Sequence, residues 1–277
     1  DTPSFDSDDF VTRTEYDDAG NAVAVIDALG RRTETDYDGA SRPVETRLPE
    51  VDIYVAGTGV VSDFVPTTTT VYDQASQPIL VTDARGSQAY TEYDARGRAI
   101  LSVLDLNGNS GFSRVPGPTA ADIITWTGYD LVGNVIYAID PNGNRSDTEY
   151  DRAYRAIETQ GPEVADAEDS GTPARPTTTT TYDKAGNVLT ITDPRGLITS
   201  TEYDEWNRAR KVTANAAGGV NDADRVTTES RYDASGNKLA LVMFNRVGST
   251  NRPQVTTYTY DAFDRQLTET LPDVGDS

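Results

Sequence analysis

The sequence predicts an all-β fold built from repeated antiparallel hairpins, and three observations carry that reading. The pair Tyr-Asp occurs ten times in 277 residues and takes up ten of the fifteen tyrosines. Tyr16, Tyr37, Tyr72, Tyr93, Tyr129, Tyr150, Tyr182, Tyr203, Tyr232 and Tyr260 are followed by Asp17, Asp38, Asp73, Asp94, Asp130, Asp151, Asp183, Asp204, Asp233 and Asp261. Four of the five odd-to-even spacings are the same 21 residues, whereas the intervening ones vary from 29 to 36. Between the pairs, runs rich in Thr, Val and Ile alternate with Asp-x-x-Gly clusters about every ten residues.

Each element follows from that pattern. The first corner of a pair reads YDDAGN, YDQASQ, YDLVGN, YDKAGN or YDASGN. Asp opens a turn by accepting backbone N–H bonds, and Gly or Asn supplies the positive φ that closes it. Tyr is then the last strand residue, its ring over the hairpin end and its hydroxyl at the rim. The second corner reads YDGASR, YDARGR, YDRAYR, YDEWNR or YDAFDR, so Arg42, Arg98, Arg155, Arg208 and Arg265 each stand five residues after Tyr. There the Arg begins the return strand, placed to stack on that ring or to pair with the Asp. Between the corners lies a third turn: DALG from residue 27, DARG from 83, DPNG from 140 and DPRG from 193. The fifth pair departs, with NRVG from residue 245 and a step of 28. The threonine runs after Pro66 and Pro176 lead directly into a Tyr-Asp pair and read as strands.

A longer period is superposed. LPE at 48–50, GPE at 161–163 and LPD at 271–273 follow second corners, so about four corners make one higher-order unit. Variable insertions such as VDIYVAGTGVVSDFVP fall between. Repeats of fixed period stack into one body, so residues 1–277 are expected to form a single array, a segment of a larger protein.

Composition limits what such an array does. The net charge of -21 opposes nucleic acid and anionic membranes, and no apolar run approaches the length of a membrane span. With no Cys and no His, thiol nucleophiles, imidazole bases and the usual zinc ligands are excluded. Carboxylates are plentiful, but most recur in the turns, and repetition points to structure where catalysis needs one convergent site. No catalytic, cofactor-binding or metal-ligating residue is assigned. DLNGN at 105–109 and DPNGN at 140–144 resemble half of a calcium loop, yet lack its Gly at position six and Glu at twelve. Calcium between hairpins is the one cofactor that the negative field leaves open. Trp206, inside YDEWNR, and Trp126, beside an insertion, stand apart; Trp206 is the candidate ligand contact, for a sugar face.

With the motifs YDxxGN, DxxG and TEYDxxxR, the chain resembles the YD-repeat, or RHS-repeat, family from Val11 to about Thr270. That family includes bacterial Rhs proteins, cage-forming components of Tc-type insecticidal toxins, and teneurins. The resemblance implies hairpins wound into one continuous spiralling sheet around a hollow shell, which holds a toxin domain in bacterial members and serves adhesion in animal ones. DPRG at 193–196 aligns with the third turns and reads as one of them, not as the self-cleaving core that follows the repeats in the family. The expected role is structural, in a secreted or cell-surface protein. The expected partners are neighbouring repeats or further copies of the chain, a passenger toxin domain, or surface glycans, with neither nucleic acid nor membrane insertion. The rival is a carbohydrate-binding adhesin module.

Overall fold

The computed structural model describes residues 11–55, 57–105, 114–117, 122–164, 174–215, 226–247 and 250–272. Among these residues there are 22 β-strands and no helix, and so no helix that could cross a membrane. The chain divides into two compact units, Asp1–Asp130 with Tyr137–Arg145, and Leu131–Ile136 with Ser146–Ser277.

In the first unit, β1 (Arg13–Tyr16), β2 (Ala22–Ile26), β3 (Arg32–Tyr37) and β4 (Pro43–Arg47) pair antiparallel in succession. The chain then leaves the sheet as a two-stranded ribbon, β5 (Val51–Val55) and β6 (Gly59–Phe64). It rejoins at β7 (Thr67–Tyr72), which pairs with β4, and continues through β8 (Pro78–Thr82), β9 (Gln88–Tyr93), β10 (Ala99–Asp105) and β11 (Ile123–Tyr129). The residues of β12 (Val135–Ile139) are divided between the units. In the second unit, β13 (Arg145–Tyr150), β14 (Ala156–Gln160), β15 (Thr177–Tyr182), β16 (Val188–Thr192), β17 (Ile198–Tyr203) and β18 (Ala209–Ala214) form the same antiparallel meander. It ends with β19 (Val226–Tyr232), β20 (Lys238–Val247), β21 (Thr250–Tyr260) and β22 (Gln266–Thr270).

The insertion at 51–64 is thus itself a hairpin, and the sequence carried its signal in the Gly-Thr-Gly of VAGTGVV. The excursions close where they open: the N–H of Leu48 donates to the carbonyl of Pro66 at 2.9 Å, and that of Gly161 to the carbonyl of Pro176 at 2.8 Å. Because the strands meet at that bond, an insertion's length does not alter the register beyond it. The loop from residue 106 and residues 248–249 lie outside the described residues, and Asn245–Val247 of the expected NRVG turn belong instead to the end of β20.

The faces of the first unit's sheet differ. Register puts Arg13, Glu15, Arg32, Glu34, Asp36, Glu45 and Arg47 on one face. There each arginine bonds at least one carboxylate, from Arg32 to Glu15 at 2.8 Å to Arg47 to Glu45 at 2.8 Å. The other face carries Thr14, Val25, Thr33, Thr46 and Thr68, all uncharged. Fully buried apolar side chains are few: among the described residues, Leu101, Val103 and Ile124 form one cluster across β10 and β11, with Tyr90 and Trp126 packed on it. Trp126, beside an insertion, is half-buried. Its register partner is Leu101, and its indole N–H donates to the carbonyl of Arg114 at 3.1 Å.

Candidate functional site

The repeated corner is the site with a defined geometry. Asp17 shows the common set: its N–H donates to the carbonyl of Asn21, and its carbonyl accepts from the N–H of Gly20, both at 3.0 Å. Its Oδ1 accepts the N–H groups of Ala19 and Asn21, and its Oδ2 accepts the amide of Asn21 at 2.8 Å. The third residue after Asp has positive φ, Gly in four of the five first corners but, apart from Gly97, the non-glycine Ser41, Tyr154, Asn207 and Asp264 in second ones. The Asn at the fourth place therefore does not close the turn by conformation. It returns a donor to the carboxylate, and Gln77 and Arg42 do the same at that position.

These donors favour the ionised carboxylate. Asp94 is held at about 2, chiefly by the guanidinium of Arg98 and then by the Arg98 and Arg96 N–H groups. Asn21 and Arg42 side chains likewise lower Asp17 and Asp38, and the Asn187 side chain lowers Asp183. Asp140, in DPNGN, has the same arrangement: both oxygens are occupied by Asn142 and Asn144 of its own turn. It is a turn residue. The other half-loop, DLNGN, lies outside the described residues beyond Asp105.

Tyrosine and arginine link one corner to the next. In nine corners the Tyr hydroxyl donates to the carbonyl six residues after the tyrosine of the preceding corner, from Tyr37 to Ala22 at 3.2 Å through Tyr182 to Ala156 at 2.8 Å to Tyr260 to Lys238 at 3.0 Å. The hydroxyl is therefore bonded across to the neighbouring corner. Each second-corner arginine pairs with its own Asp, and four of the five stack on a ring other than the one expected, that of the following first corner; Arg265 lies over the Phe263 ring instead. Arg42 lies 4.8 Å from the Tyr72 ring centre, Arg98 4.5 Å from Tyr129, Arg155 4.4 Å from Tyr182 and Arg208 4.5 Å from Tyr232. From the same place, Nη1 donates to the carbonyls of Asp73, Asp130, Asp183 and Asp233 at 2.9–3.2 Å. Three neutral or charged acceptors thus surround each guanidinium, a geometry that lysine cannot copy.

Trp206 occupies the second turn position of its corner and is 67% exposed. Arg208 lies 4.9 Å from its ring centre, so one side of the indole covers the clamp on Tyr232. A concavity in the first unit is lined by Arg31, Arg32, Glu34, Arg47, Leu48, Pro49, Glu50 and Val65. Its Arg32, Glu34 and Arg47 already belong to the ion-pair network and offer no isolated acid or base. Among the described residues no group of three or more metal-ligating side chains occurs.

No curated protein matches the sequence. Among solved structures, the chain is similar to the TcdB2-TccC3-Cdc42 complex at 18% identity and a TM-score of 0.43, over 91% of this chain and 14% of that one. It is similar to the Photorhabdus luminescens Tc holotoxin pore at 17% identity and a TM-score of 0.43, over 89% of this chain and 14% of that one. The chain thus spans about one-seventh of the length of these structures. The family model described as RHS Repeat matches residues 16–50 and 182–220, each running from a first corner through a second corner and its return strand. Two segments of the chain thus match the RHS Repeat model.

Proposed function

We propose that the chain is a non-catalytic wall segment of a large secreted or cell-surface protein, in which the hairpins build a β-shell or a fibre-like scaffold. One observation supports this above the others: of the groups that look reactive in the sequence, the corner carboxylates are spent on closing their own turns and the second-corner arginines on holding one hairpin to the next. Asp183, for instance, bonds its own turn through Asn187 while its carbonyl takes the guanidinium of Arg155. On this reading the ten corners from Tyr16–Asp17 to Tyr260–Asp261 are the functional residues, as structure. The partners are neighbouring repeats of one array spanning the chain, and a passenger toxin domain is what such a wall encloses.

Protease protection in the full-length protein tests the enclosure. A passenger should resist digestion behind an intact wall and become sensitive when Arg155→Ala and Arg208→Ala remove two clamps. Equal digestion of both forms removes the enclosing role. A second reading, carbohydrate binding, has the exposed indole of Trp206 in its favour. Saturable glycan binding that is lost in Trp206→Ala would establish it.

A further inference from the structure

The second corners of the second unit differ from those of the first in what their turns present. Where the first unit has Ala40 and Ser41, or Arg96 and Gly97, the second has Tyr154, Trp206 and Phe263. Tyr154 is 59% and Trp206 67% exposed, although both stand inside a continuous run of paired strands. Tyr154 also has a φ of 61°, a conformation that the equivalent places give to Ser41, Gly97, Asn207 and Asp264. A bulky residue is strained there, and an exposed ring recovers little of that cost by burial.

Bonds between corners hold these rings in fixed places. The Tyr154 corner is tied to the corner at 182–187 by Arg155, which donates to the Asp183 carbonyl, and by the Tyr182 hydroxyl, which donates to the Ala156 carbonyl. That corner is tied in turn to the Trp206 corner: the Tyr203 hydroxyl donates to the Val188 carbonyl, and the Asn187 amide to Asn207 Oδ1 at 2.9 Å. All these corners stand at one end of the strands, with the third turns at the other. Successive second corners are four strands apart, so roughly 19 Å separates their turns at the ordinary spacing of about 4.8 Å per strand. Apart from Lys184, the exposed turn residues between them are small: Ala185, Gly186, Ala234, Ser235 and Gly236. Arg208 covers one face of the Trp206 ring and leaves the other to solvent.

We propose that the corner edge of the second unit binds a neutral, extended polysaccharide of the β-linked, cellulose-like class. One chain lies along the edge and stacks on Tyr154 and Trp206 in turn, with Phe263 at the next place. The proposal rests on the carbohydrate reading of Trp206 and extends it from one ring to a row. A flat sugar face of axial C–H groups meets the negative face of an aromatic ring. The equatorial hydroxyls then reach the rim, where Arg152, Glu205 and Asn207 are exposed. Small and polar residues divide the aromatic area into separate patches, so it lacks the continuous apolar centre of an interface with a folded protein. The net charge of -21 disfavours an acidic polymer. Each stack is weak by itself, but a chain held at one ring is presented to the next at high effective concentration.

Electrophoresis of the full chain through gels containing hydroxyethylcellulose reads binding of the polymer. Titration with cellobiose, too short to bridge two turns, reads a single ring. The polymer should bind far more tightly than cellobiose, and Trp206→Ala and Tyr154→Gly should each weaken polymer binding by about tenfold or more. Glycine suits the positive φ at 154, so this variant keeps its corner; Tyr154→Asn, the residue type that holds the same conformation at 207, is the second variant, and melting curves check both. If Trp206→Ala abolishes binding while the Tyr154 variants leave it unchanged, or if polymer and cellobiose bind equally well, the carbohydrate reading stands and the row is overturned. Sheet twist that turned successive rings out of line would produce that outcome. Wild-type protein that binds neither overturns both. Equal retardation by carboxymethylcellulose overturns the neutral class.

Discussion

The patch formed by β9, β10 and β11 in the first unit and the run from β15 to β18 in the second share corners but differ in what lies between them. In the first, Leu101, Val103 and Ile124 are 0–1% exposed and close on one another. In the second, the strands are TTTTTY, VLTIT, ITSTEY and ARKVTA, and the one side chain buried there is that of Thr213. Cross-strand hydroxyl pairs, such as Thr181 with Thr190 at 2.6 Å, take the place of apolar contacts. The same backbone pattern is thus held by burial in one place and by corners and cross-strand pairs in the other. The motif specifies the fold wherever it occurs, while the strand interiors are free to vary.

Mutations can break this comparison in graded steps. Leu101→Ala should cost about 2–5 kcal/mol, the range for a buried leucine whose neighbours relax only partly. A smaller loss in chemical denaturation would mean that the cluster is no core. Gly128→Ala comes next. A Cβ there would lie 2.0 Å from the Tyr137 ring, whose other contact is the Arg145 guanidinium, 4.4 Å from the ring centre. Displacing the ring should cost about 1–3 kcal/mol, and thermal melts of Gly128→Ala level with wild type would show that it moves freely.

In the threonine-rich run the largest single effect should come from the corner. Asp183→Ala removes the acceptor of the Asn187 N–H and of the Asn187 side chain, at a cost of about 0.5–2 kcal/mol by analogy with helix caps. If Thr190→Val proved as damaging as Asp183→Ala in parallel melts, the corner would not be what holds that run. The finest test is acid. Asp94 titrates at about 2, below the ordinary value near 3.9, so the folded state holds its carboxylate ionised more firmly than the unfolded chain does. The stability it contributes is complete above pH of about 4 and lost as pH falls through about 2. The difference between wild type and Asp94→Ala should shrink over that interval, and a gap constant in pH would assign it to packing alone.

Much of this was legible in the sequence because it is local chemistry. An Asp and a residue of positive φ three places on make the same turn wherever they occur, so strands and corners follow from spacing. The destination of the arginine was not legible. Arg155 finds Tyr182 and the Asp183 carbonyl across an excursion of variable length, and only the strand register brings them together. The same holds for the tyrosine hydroxyls, and for Trp126, whose packing on the apolar cluster depends on β10 standing beside it. The role of Asn21 and Asn187 had a readable signal: in the ten Tyr-Asp corners an amide or guanidinium always stands four places after the Asp.

The tyrosine bond has a direction. From Tyr37 to Tyr260, every corner tyrosine's hydroxyl reaches back to a carbonyl that precedes it in the chain. During synthesis from the N-terminus, the acceptor for each of these hydroxyls has therefore already been made, whereas the arginine of a second corner closes its clamp only when the following corner arrives. Each hairpin can dock on the one before it as it emerges. A vectorial order of this kind keeps the exposed edge to a single strand at any moment and spares a long, acidic, weakly cored chain the search among distant strand pairings that makes large β-proteins slow and prone to aggregate.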